Sequence, residues 1–262
     1  MSMRSAVLGA GLLAAAAASA HAQAVQLRFT PTVGQVTRYR TMNQMWMSGD
    51  TSAAPVVSTL YSTRTVMAMD GANYVVKTVM DSTITAMPGG GEGGRGGRPG
   101  MGGDMMRGMT ITQHVDPRGR VLSSEVAPPP GLPPMVANMM RRTTGSGGDN
   151  NRSQAVMPEG PISPGATWTD SMISSSGGGR GQQRQVVFIV TYRFERVDRE
   201  GGHRVAVISM NGSPQVGVTG TVTGQMAVDL DAGRLAHMET RTAIQSESGT
   251  TMRMRMTMET LP

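Results

Sequence analysis

The sequence predicts an all-β, mainly antiparallel protein: a long curved sheet or incomplete barrel built from two similar β-meander halves, with one short connecting helix and glycine-rich disordered loops. Three observations predict it. From Val216 to Leu230 every even position is apolar or glycine (Val216, Val218, Gly220, Val222, Gly224, Met226, Val228, Leu230), while the odd positions are small or polar. A period of two puts one row on a buried face and the other in water. Strand and turn signals recur in the same order in both halves of the chain. Helical spacing occurs in a single mature segment, Met135, Val136, Met139 and Met140.

The first residues read as an export signal, 1–22. Arg4 supplies the positive start, Val7 to Ala20 the apolar stretch, and Ala20-His21-Ala22 a small-residue cleavage site before Gln23. The mature chain is expected in the periplasm or secreted. It has no cysteine, hence neither a lipobox for lipid anchoring nor a disulfide. No stretch reaches the roughly 20 apolar residues of a transmembrane helix.

The first β-rich half is expected over 23–130. Phe29-Thr30-Pro31 and Gly34 lead into a strand from Val36 to Met47. Strands Thr59 to Met69 and Tyr74 to Ile84 follow, joined by the hairpin turn Asp70-Gly71. The Gly/Met-rich run 88–108 interrupts this half as a disordered loop. A further strand ends in the turn Asp116-Pro117-Arg118-Gly119-Arg120. Residues 131–156 form the connection: Pro133-Pro134 starts the short helix, which is available as a lid, and the polar run 143–156 is a flexible linker.

The second half, 157–262, repeats the plan. Pro164-Gly165 leads to a strand around Trp168, then Val186 to Val197, the turn Asp198 to Gly202, and Arg204 to Met210. The long strand 216–230 ends in the turn Asp231-Ala232-Gly233-Arg234, and 234–245 and 250–260 complete a meander. The matching order of elements and turns argues for an internal duplication. In the last strand Met252, Met254, Met256 and Met258 keep the even-inward rule and join the same core, at a sheet edge open to strand addition. Gly220 and Gly224 on the inward row predict sharp curvature or close approach of another element.

Composition narrows the function. The net charge of +6 and pI near 10.6 come almost wholly from arginine, Lys77 being the exception. Such charge could draw the protein to anionic surfaces, but alternating strands place these arginines on solvated faces. Aromatics are 3% of the chain and methionines number 25, so adaptable thioethers do the filling that rings usually do. Neither HExxH, GxSxG nor a phosphate-binding loop is present, and Asp198, Glu200, Asp229 and Asp231 stand at turns where carboxylates hydrogen-bond their own backbone. The chain therefore reads as non-enzymatic, with no catalytic residue, cofactor or resident metal. The run 93–100 lacks the interleaved aromatics of a nucleic-acid binder, so no nucleic-acid partner is expected. Met101, Met105, Met106 and Met109 have the spacing of a thioether copper(I) motif, against which stand the missing histidine and the abundance of methionine throughout.

The run "MPEGPISPGATWTD", 157–170, with Pro158, Pro161, Pro164, Gly165 and Trp168, resembles a broad group of uncharacterised exported bacterial proteins made of two β-rich halves. In layout the chain is also similar to the lipoprotein-carrier fold of the LolA and LppX type, an incomplete barrel with a greasy concave face. That resemblance implies an apolar ligand or lipid held on the inward face. The ligand-facing candidates are Val218, Val222, Met226, Met238, Met252, Met254, Met256 and Trp168. The competing expectation is a structural protein of the cell envelope that binds a protein partner.

Overall fold

The period of two is realised as strands throughout. The structure is a computed structural model describing residues 24–46, 51–86, 106–138, 156–177, 183–215, 218–246, 249 and 251–262. The expected signal peptide, most of loop 88–108 and residues 139–155 of the connection lie outside the described residues. The strands are β1 (Val36–Trp46), β2 (Val56–Asp70), β3 (Asn73–Ala86), β4 (Thr110–Val115), β5 (Val121–Ala127) and β6 (Thr167–Gly177). They continue with β7 (Gln183–Glu200), β8 (His203–Pro214), β9 (Val218–Asp229), β10 (Arg234–Ser246) and β11 (Thr251–Leu261). All pair antiparallel in one sheet of order β5-β4-β3-β2-β1-β11-β10-β9-β8-β7-β6.

The two halves are pseudo-symmetric in detail. In the first, Gly34 N donates to Val66 O and Val66 N to Gln35 O; in the second, Gly165 N donates to Phe194 O and Phe194 N to Ala166 O. The glycines share the left-handed conformation, φ 87° and 91°. A register shift follows at the matching place, between Val66 and Ala68 against β3 and between Phe194 and Arg196 against β8. Each proline- or glycine-marked lead-in thus docks on the second strand of its half, and a bulge there increases the local twist.

β11 departs from the sequence reading. It is no edge: β1 pairs along one side of it and β10 along the other, so 250–260 offers no free ladder for strand addition. The sheet ends instead at β5 and β6. β11 stitches the two halves into one sheet, and the first and last strands of the chain meet at its centre.

The sheet is strongly curled. β4 and β9 stand six neighbours apart, roughly 29 Å across a flat sheet at the usual strand spacing. Yet Phe29 N donates to Pro117 O in the turn after β4, and the next residue, Thr30, donates to Gly233 O in the turn after β9. Two consecutive residues of the lead-in bridge both hairpin ends, which only a closed-over sheet permits. The inward glycines serve this curvature. A Cβ on Gly220 would lie 2.2 Å from Ala243 O and one on Gly224 2.2 Å from Glu239 O, so the sheet bends until the backbone of the neighbouring strand β10 stands where no side chain of β9 could.

Two apolar clusters fill the concave side. The larger takes Phe188, Phe194, Ile208, Val222, Met226 and Val228 from the second half together with Leu27 and Met157. The smaller comprises Phe29, Val66, Tyr74, Val76 and Val115. Leu27 and Phe29 come from an extended segment and not from a strand of the sheet; Val25 bridges Ile162 through a pair of backbone hydrogen bonds. Burial of each of these side chains contributes about 1.5–3 kcal/mol. Of the helix expected as a lid, Met139 and Met140 lie outside the described residues. Its described part covers 134–138, and Met135 is 83% exposed. Extended segments, 24–31 and 156–162, cover part of the concave face through Leu27, Phe29 and Met157.

Candidate functional site

Between the two clusters the curled sheet leaves a cavity of about 390 Å³. Its walls follow from strand parity. β1 contributes Tyr39 and Thr41, β2 Leu60, Ser62 and Arg64, β3 Thr78 and Met80, and β4 Ile111 and Gln113. The facing wall comes from β9, β10 and β11, as Met226, Val228, Leu235, Met238 and Met258. Phe29 and Met157 from the covering segments complete it. The wall from the first half therefore carries every polar side chain of the lining, and the wall from the second half is wholly apolar. A register shift between Leu235 and His237 lets Leu235 and Met238 share a face despite opposite parity.

Arg64 is the charged group in this lining. Its backbone pairs with Thr37 on β1 and Thr78 on β3, which turns the side chain to the concave face beside Ser62 and Val66. The guanidinium carbon lies 4.9 Å from the centre of the Phe29 ring. Nε and Nη2 are buried and make no hydrogen bond, and among the described residues no carboxylate lies within ion-pair distance. Burial draws the Arg64 pKa down, with partial compensation from the Tyr39 phenol. Burial likewise raises the Tyr39 pKa, against the opposing charges of Arg64 and Arg234. The second arginine of this corner is differently placed, since Arg234 donates to Thr37 Oγ1 at 3.1 Å and lies 3.9 Å from the buried Asp229 carboxylate.

The sequence-derived candidates divide. Met226 and Met238 line the cavity, as does Met258 at the end of the methionine row. Val222 is enclosed in the larger cluster, and Met252 packs against it. Met254 and Met256 lie between these ends, half-buried and paired with Thr242 and Thr240 of β10. The side chain of Val218 lies outside the described residues. Trp168 stacks on Tyr192 at 5.5 Å between centroids and donates Nε1–H to Val156 O at 3.0 Å, so it belongs to packing beside the larger cluster. Of the thioether motif, Met101 and Met105 lie outside the described residues. Met106 sits half-buried in the turn before β4, and Met109 is 2% exposed with its backbone paired to Met80. Its sulfur is committed to the interior.

Sequence reasoning missed Tyr39, Ser62, Arg64 and Gln113. The available signal was Arg64 in phase with Leu60 and Val66 on one strand. The intervening Tyr61, Thr63 and Thr65 are amphipathic enough to make either face a fair choice as the inner one.

One carboxylate cluster also draws metal-ligand atoms together, with His203, Asp229 and Asp231 donor atoms within 4.8 Å of one another. Its oxygens already have partners. Asp229 Oδ1 accepts from the backbone of Asp231 and Ala232, while Asp231 accepts from Arg204 N, Nε and Nη2 at 2.8–3.0 Å. Those contacts, led by the backbone hydrogen bond, lower the Asp231 pKa. For Asp229 this is the turn chemistry expected; Asp231 instead ties its turn to Arg204 at the start of β8.

The arginines of the outer face are largely matched. Arg40 meets Glu259, Arg241 and Arg255 share Glu239, and Arg196 meets Asp198. Paired, solvated side chains of this kind contribute little to stability.

No protein-family model matches the chain, and no curated protein does. Among solved structures it is similar to the hypothetical lipoprotein YmcC from Escherichia coli K12. The identity is 10%, the match covers 87% of this chain and 88% of that one, and the TM-score is 0.31. So low a score carries no argument, and the architecture stands on its own strand pairing. Among the described residues no helix is long and apolar enough to cross a membrane.

Proposed function

We propose that the chain is an exported, non-enzymatic β protein that holds an apolar small molecule or lipid chain in the cavity enclosed by its curled sheet. The observation that supports this most is the cavity itself: about 390 Å³, lined chiefly by methionine and aliphatic side chains. Small-molecule sites occupy roughly 300–1,000 Å³ and are mostly apolar with a few placed polar groups, and this lining has that composition. Methionine suits the task, because its flexible thioether conforms to chains of differing shape. Export rests on the sequence of residues 1–22. Purified mature protein is expected to bind a hydrophobic reporter dye and to carry amphiphile visible by native mass spectrometry. Absence of both would remove the reading.

A second reading has one feature in its favour. β5 and β6 end the sheet with one neighbour each, and β5 is short and carries the exposed Leu122. Addition of a partner's strand there is the form an envelope-interaction role would take. A stable protein captured from envelope extracts by the parent, and lost when proline is placed in β5, would favour it over the carrier role.

A further inference from the structure

Resting on the carrier reading, we infer that the cavity is built for a single-chain amphiphile with a carboxylate head, Arg64 receiving the head and the methionine wall the chain. The argument starts from an energetic anomaly. An arginine fork with Nε and Nη2 both buried and unbonded is costly, because a desolvated charged donor normally takes a partner. The described protein supplies no carboxylate: the Tyr39 phenol is the one hydrogen-bonding side chain that couples to the guanidinium, the Phe29 ring offers only its face, and Nε and Nη2 stay unbonded. Arg234 differs in having a carboxylate and a hydroxyl within reach, Asp229 at 3.9 Å and Thr37 Oγ1 at 3.1 Å, although its Nε too is buried without a hydrogen bond. Arg64 has two such nitrogens and no carboxylate among the described residues.

Three further features agree with an anionic head. The guanidinium is a planar fork that matches a carboxylate in two parallel hydrogen bonds. Ser62 lines the same wall, and its hydroxyl can donate to an anion; the Tyr39 hydroxyl beside it already points to Leu235 O at 3.5 Å. The opposite wall, Met226, Leu235, Met238 and Met258, offers no polar group at all, so the cavity is itself amphipathic from one side to the other. At about 390 Å³ it suits one acyl chain in preference to the paired chains of a phospholipid.

The test uses the mature protein and three probes with the same alkyl chain: dodecanoate, dodecanol and dodecyltrimethylammonium, titrated calorimetrically at pH 8. Dodecanoate is expected to bind about tenfold or more tightly than dodecanol, as a charge-assisted pair adds roughly that much, and the cation weakest of the three. In Arg64→Met the advantage of dodecanoate should vanish while dodecanol affinity is kept; Arg64→Lys should retain part of it. Equal binding of acid and alcohol by the parent, or an advantage that survives Arg64→Met, overturns the assignment of the head group and leaves the apolar cavity standing. If none of the three binds, the carrier reading falls with it. The comparison among probes on the parent decides the matter even if a variant does not fold.

Discussion

Gly71 and Gly233 adopt the same backbone angle, φ 59°, and differ in their surroundings. A Cβ on Gly71 would meet nothing within 4 Å, whereas one on Gly233 would lie 2.6 Å from Thr30 N. Gly71→Ala should therefore cost about 1 kcal/mol, the left-handed strain alone. Gly233→Ala should cost about 3 kcal/mol or more, because it also pushes away the segment that carries Phe29 into the core. Urea denaturation of both variants checks the difference; equal costs would mean that the lead-in is not held at Gly233. Arg64 gives a residue-scale prediction of opposite sign. Arg64→Met loses a cation–π contact of about 0.5–2 kcal/mol but relieves unbonded buried donors costing about 1–3 kcal/mol. The ligand-free variant should melt at or above the parent temperature, whereas an arginine retained for structure would be missed.

At the scale of elements β11 is the decisive strand. Ladder bonds run from it to β1 and to β10, both present from Arg253 to Glu259, so along that stretch each N–H faces a neighbour and no position tolerates proline. Thr257→Pro should destabilise by at least about 2 kcal/mol through a lost and unsatisfied ladder bond. On the edge strand β5, alternate N–H groups point away from the sheet, and a proline there should be mild. Chemical denaturation of the two variants distinguishes a central β11 from a marginal one. Leucine at Met254 and Met256 should cost under about 1.5 kcal/mol per site, because volume and polarity are kept at half-buried positions. Aspartate at both should cost more, since two like charges would be placed one pleat apart at half-buried positions in the centre of the sheet with no cation paired to them.

For the whole molecule, pH reports the enclosure of the concave face. Burial raises the Tyr192 pKa well above its ordinary value, and the nearby Asp170 charge adds to the shift. The Tyr39 pKa is also raised by burial, less Arg64 and Arg234. The unfolded chain releases both protons near pH 10, while the fold holds them to higher pH. Their contribution is thus complete below about pH 10 and is lost as pH rises through the raised folded values. Melting temperature should be level up to about pH 9.5 and fall above 10, and Tyr192→Phe should flatten the fall. A separate consequence follows from the position of Leu27, which sits in the core of the second half, and from the pairing of β1 with β11. A fragment of residues 157–262 lacks both and should show no cooperative melt alone, but recover one when 23–130 is added.

Strand identity was legible in the sequence because the pleat has a period of two, and local turn chemistry marked where strands end. The runs around Val222, Met226 and Met238 could be assigned to the inner face from their own neighbours, and the turns at Asp116 and Asp231 from their residues alone. The pairing of β11 with β1 was not legible, because a strand carries the same pattern at an edge as at a centre and nothing local names its second neighbour. That pairing decided that two similar halves form one sheet. The curl of the sheet then decided the site, by bringing Arg64 and Tyr39 of the first half opposite Met226 and Met258 of the second. An arginine in a threonine-rich strand declares its face only when the opposite wall is in place, since burial is a property of the assembled sheet and not of the strand.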